Sequence, residues 1–82
     1  MYKNKNGNRN NICGVNISLL RQQYEKPISQ RKLADMMQLA GIDIDKNAIQ
    51  RIESGQRFVT DIELEAFSKV LNTSVEELLM RR

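Results

Sequence analysis

The chain has 82 residues, a formal charge of +3 and 40% hydrophobic against 28% charged side chains, which bounds it to one small domain with a modest core. It holds no His and a single Cys, so the usual general base, the usual metal ligand and an intrachain disulfide are all missing, and the reading excludes an enzyme and any cofactor or metal site. No apolar run approaches the roughly 18 residues of a membrane span, and the N-terminus is polar where a signal peptide would be apolar, so a soluble protein of the reducing cytoplasm is expected.

The first eleven residues, MYKNKNGNRNN, hold five Asn, one Gly and three bases, and Tyr2 is their only large apolar side chain. They read as a flexible basic arm, leaving 12–82 as the folded domain. Ile17, Leu20 and Tyr24 then fall at i, i+3 and i+7, which predicts a helix over about 15–25 that Pro27 stops. Cys13 would sit at the edge of that ordered body with no redox role.

Ser29 offers an N-cap to a second helix with Leu33, Ala34, Met37 and Ala40 as its buried stripe and Gly41 as its left-handed stop. Met36 and Met37 read as gap-filling core. Asp45 caps a third helix over 46–54 that Gly55 closes, with Ile49 and Ile52 facing inward. Lys46, Asn47, Gln50, Arg51 and Ser54 form the opposite, solvent-facing stripe.

Thr60 and Glu63 make a T-x-x-E capping box before Leu64, Phe67, Val70 and Leu71, and Ser74 and Glu77 repeat the device before Val75, Leu78 and Leu79. Asp61, Glu63 and Glu65 read as a solvated acidic face that suits a helix start. Five helices, short connections and no strand pattern make the fold all-α.

The one constellation that can carry a function is the helix pair over 29–55. A DNA-reading pair needs a small residue where the helices cross, apolar residues to lock their angle and a second helix with a long, polar, unencumbered outer face. Ala34 supplies the small residue, and Leu33, Met37, Ile49 and Ile52 supply the lock. Arg and Lys can pair with guanine, and Asn and Gln with adenine, so the outer stripe has the right chemistry for base edges. The charge agrees in placement. Residues 26–57 hold six bases against four acids, whereas 58–82 hold three against five.

Five short motifs in order resemble the phage-repressor-like family, the XRE, Cro and lambda-repressor type of helix-turn-helix. They are I-x-x-L-R at 17–21, S-Q-x-x-L-A at 29–34, I-x-R-I-E-x-G-x-R at 49–57, E-L-x-A-x-x-x-x-L at 63–71 and S-V-E-E-L-L at 74–79. The resemblance implies a compact five-helix bundle. One departure stands out: Gly41 lies seven residues after Ala34 and Ile49 eight after Gly41, five more in total than the common pattern. They divide into about one extra turn on the second helix and a turn longer by two.

Carried over by position, the resemblance implies base contacts from Lys46, Asn47, Gln50 and Arg51, and backbone contacts from Gln30, Ser54 and Arg57. It also pairs Arg21 with Glu53 as a partly buried ion pair between the first helix and the reading helix. An arm such as 1–11 wraps the duplex in some members. The expected function is a sequence-specific regulator of double-stranded DNA, a repressor acting as a homodimer on an inverted repeat, with self-contact through Leu78, Leu79 and Met80. The rival is a protein-interaction module of the same fold, such as an antitoxin or accessory factor. Protein hot spots favour aromatic anchors, and in the outer stripe only Arg51 has the character of one.

Overall fold

Caps fix where the helices of this computed structural model begin, and it describes residues 6–82. Helix α2 (Gln30–Leu39) starts at Ser29, whose hydroxyl accepts from Lys32 N–H at 3.0 Å, and α3 (Lys46–Glu53) at Asp45, whose Oδ1 accepts from Ala48 N–H at 2.8 Å. Helix α4 (Asp61–Val70) opens on the full Thr60–Glu63 box. At α5 (Val75–Leu78) the Ser74 half of the device is present, its hydroxyl accepting from Glu77 N–H. Helix α1 (Cys13–Gln23) has no side-chain cap at Ile12; Asn11 Oδ1 instead accepts from Gly14 N–H at 2.8 Å.

Three helices end in the same way. After α2, Gly41 (φ 88°) donates to Gln38 O and Ile42 N–H reaches Met37 O; after α3, Gly55 (φ 85°) donates to Ile52 O and Gln56 N–H reaches Arg51 O. Asn72 (φ 53°) closes α4 with the corresponding pair to Lys69 O and Ser68 O. These are Schellman closures, which satisfy the last carbonyls while turning the chain sharply.

The core is Ile17 from α1, Leu33 and Met37 from α2, Ile49 and Ile52 from α3, Phe67 from α4 and Leu78 from α5, all fully buried. Ile44, in the long turn between α2 and α3, joins them at 1% exposure, and Gln38 Nε2 donates to its carbonyl at 3.1 Å. The lengthened turn is therefore anchored at its far end.

Several sequence expectations shift. The first helix starts at Cys13, so Cys13 lies inside the core rather than at its edge, and burial pushes its thiol up to about 11. Such a thiol is protonated and inert at neutral pH. Tyr24 falls outside α1 with an extended backbone and stays 36% exposed, because the chain folds back there: Ile28 N–H donates to Arg21 O. Ala40 is exposed as the C-cap of α2 and not part of its buried stripe, since the helix stops one residue earlier.

Leu78, expected on a self-contact surface, has no exposed area because α5 docks on α1 and α4. The docking is polar as well as apolar. Buried Asn16 donates through Nδ2 to Leu78 O and Met80 O, both at 2.8 Å, and its Oδ1 accepts from Arg82 Nε. A four-residue helix leaves most carbonyls open, and Asn16 meets one of them and one just beyond it. The expected arm also divides. Residues 1–5 lie outside the described residues, whereas 6–11 turn back at Gly7 and lie against the end of α3.

Candidate nucleic-acid interface

Helix α3 buries Ala48, Ile49 and Ile52 and leaves Lys46, Asn47, Gln50, Arg51 and Ser54 exposed, so the helical period sorts its two faces as the sequence predicts. Arg51 and Lys46 are free of ion pairs among the described residues, and Asn47 and Gln50 make no side-chain hydrogen bond there. Ser54 turns its hydroxyl onto Arg51 O at 3.2 Å. Asn47, Gln50, Arg51 and Ser54 line an open concavity along the outer face of α3. Lys46 and Asn47 line a second one toward α2, beside Arg31, which the sequence reading did not single out.

The rear of α3 is pinned by Glu53. Its carboxylate takes Arg21 Nε and Nη2, each at 2.9 Å, in a side-on fork with side-chain exposures of 14% for Arg21 and 8% for Glu53. Arg21 also donates through Nη1 to Ile28 O, and Gln30 Nε2 adds a third bond to Glu53 Oε1 at 3.0 Å. Bonding to the carboxylate raises the Arg21 pKa further, so its guanidinium stays charged at any ordinary pH. Two helices thus converge on one carboxylate, α1 through Arg21 and α2 through Gln30, and Arg21 also ties in the residues before α2.

Gln30 and Arg57, named for backbone contact, are both engaged within the protein. Gln30 is half-buried through Glu53. Arg57 forks onto Glu63, Nη1 to Oε1 at 3.0 Å and Nη2 to Oε2 at 2.9 Å, and donates to Phe58 O. The Arg57 guanidinium holds the Glu63 carboxyl below the usual carboxylate range, helped by the Thr60 amide. Glu63 is consequently no part of a merely solvated acidic face: it caps α4 and ties that cap to the loop leaving α3. The sequence carried half of this, the capping box; the Arg57 partner depends on the course of 54–60, which no periodicity reports.

A capped helix set against a second one whose outer face is polar and whose inner face is bolted to the rest of the bundle defines a DNA-binding helix-turn-helix. A family model described as helix-turn-helix matches residues 17–78, and the chain belongs to that family, of the XRE or cro/C1 type. It is a family of DNA-binding regulators and not of enzymes. Comparison with curated proteins and with solved structures gives no match. No helix among the described residues is long and apolar enough to cross a membrane.

Proposed function

We propose that the chain is a sequence-specific repressor that binds an inverted-repeat operator as a homodimer, with α3 in the major groove. The observation that carries this reading is the combination on α3 of a fully exposed polar stripe with a rigid rear anchor at Glu53. Lys46, Asn47, Gln50 and Arg51 read base edges, since their donors and acceptors match guanine and adenine and no side-chain partner among the described residues occupies them. Gln30, Ser54 and Arg57 hold the phosphate backbone beside the groove; for Gln30 and Arg57 this role uses donors left over from Glu53 and Glu63.

One module reads only a short half-site, so useful affinity calls for two copies about one helical turn, roughly 34 Å, apart. With Leu78 buried, the self-contact falls to Leu79, Met80 and Val75, which remain 42%, 45% and 37% exposed. Selection from a random duplex pool over a salt series tests the reading. Enrichment of one palindromic motif with steeply salt-dependent binding is expected; no enrichment at any salt overturns it. Arg51→Ala should relax preference at one base position by about 1 to 3 kcal/mol, while Arg57→Ala weakens all sequences alike.

A further inference from the structure

The last carbonyls of a helix lack partners within it, and the negative end of its dipole favours a cation. At the end of α3 those carbonyls, and those of the turn that follows, are met by side chains 41 to 46 positions earlier in the chain. Arg9 Nη2 donates to Glu53 O at 2.7 Å and to Ile52 O at 3.3 Å. Asn11 Nδ2 donates to Ile52 O at 3.0 Å and Arg57 O at 2.8 Å. Asn10 adds its N–H to Gly55 O at 2.8 Å and its Nδ2 to Gln56 O at 3.0 Å.

Two glycines leave room for this approach. A Cβ on Gly14 would lie 2.1 Å from Ile52 O, 2.7 Å from Arg9 Nη2 and 2.7 Å from Asn11 Oδ1, and a Cβ on Gly55 would lie 2.8 Å from Arg9 Cγ. The start of α1, the side chain of Arg9 and the close of α3 therefore meet at one point. It directly follows the exposed stripe.

We propose that Arg9, Asn10 and Asn11 are positioning residues for DNA reading, a clasp that sets the aim of α3 from its C-terminal end without touching DNA. The proposal rests on α3 being the reading helix. The guanidinium of Arg9 faces backbone carbonyls and lends its charge to the helix end, so this basic residue of the N-terminal segment contributes through α3 and not through a phosphate. If the clasp keeps α3 aimed in nearly all molecules and its loss leaves about one in ten so, the apparent Kd for a specific duplex rises about tenfold.

The test titrates the full chain, Arg9→Ala, Arg9→Lys and Asn10→Ala against the duplex that wild type selects and against a scrambled one, at about 50 to 200 mM salt. Circular dichroism fixes the folded fraction of each. Arg9→Ala should bind the selected duplex about tenfold more weakly, bind the scrambled duplex unchanged, and keep the salt slope. Arg9→Lys, which retains a cationic donor at the helix end, should recover most of the loss. Asn10→Ala, whose amide bond is exposed and away from the core, should lose about threefold, the weight of one neutral hydrogen bond. Should Arg9→Ala not fold, Asn10→Ala decides by the same criteria. Equal weakening on both duplexes makes the segment structural only, a salt slope lower by about one puts Arg9 on a phosphate, and unchanged affinity removes its role; each overturns the clasp. A wild type that selects no duplex sinks the regulator itself and the clasp with it, whereas selection by wild type with variants that match it sinks the clasp alone.

Discussion

At its C-terminal end α3 is held by polar bonds from three separate segments, the 9–11 stretch, Arg21 on α1 and Gln30 on α2. At its N-terminal end, about 12 Å away, it is held by one cap, Asp45, and by the burial of Ile44, Ala48 and Ile49. The ends differ in balance: side-chain bonds from three distant segments at one, a single local cap and apolar burial at the other. Directional bonds set an orientation, while burial sets a depth and tolerates rotation. More side-chain bonds from distant segments therefore fix the rear of α3 than its front, which follows the long turn at 40–45.

The largest test of this contrast is Glu53→Ala. It strands the Arg21 guanidinium at 14% exposure and removes the acceptor of Gln30, and an uncompensated charge of that kind costs about 3 to 5 kcal/mol. Urea unfolding should show the midpoint falling accordingly. An unchanged midpoint would mean that the rear anchor contributes nothing to stability. Next is Ile44→Ala, expected to cost about 2 to 3 kcal/mol through the cavity it leaves. The double variant with Glu53→Gln should be additive within roughly 0.5 kcal/mol, since the ends share no partner. A larger coupling would erase the distinction between them.

The front of α3 was largely legible in the sequence and the rear was not. Asp45, Ser29, Thr60 and Gly41 act within three or four residues of themselves, and the faces of α3 follow from its period, so short-range chemistry exposes them. The Arg21–Glu53 pair came from the family pattern, because an ion pair across 32 positions leaves no local trace. Arg9, Asn10 and Asn11 had neither support: their stretch is polar and rich in Asn, the composition of a loose arm, yet each spends its polar groups on distant backbone carbonyls. Leu78 was missed for a related reason, since a four-residue helix is too short for a period to show which side is buried, and Asn16 because its partners lie 62 and 64 positions away. For the residues proposed to read bases, exposure was legible, whereas which base each would meet depends on a duplex.

A smaller effect sharpens the front end. Asp45→Ala removes the acceptor for Ala48 N–H and the negative charge at the positive end of the dipole, which should cost about 1 kcal/mol. Asp45→Asn keeps the acceptor and should recover most of it in thermal melts. If Asn does no better than Ala, the dipole term outweighs the hydrogen bond.

The smallest effect concerns the loop that leaves the rear of α3. Arg57 and Glu63 form a forked pair whose Arg side chain is 30% exposed, so solvent screening limits it to about 0.5 to 1 kcal/mol. Because the guanidinium holds the Glu63 carboxyl below its usual range, the native state binds that proton less readily than the unfolded chain. Its contribution is therefore complete above the ordinary glutamate range, near pH 4.3, and is lost as pH falls through the lowered native value. Glu63→Gln keeps a capping-box side chain at the same position but cannot titrate. Urea midpoints of wild type and Glu63→Gln should accordingly differ at neutral pH and converge on acidification through that window. No gap at neutral pH would show that Glu63 acts through its cap alone, leaving the outgoing loop untied and the rear of α3 held only by Arg21, Gln30 and the 9–11 stretch.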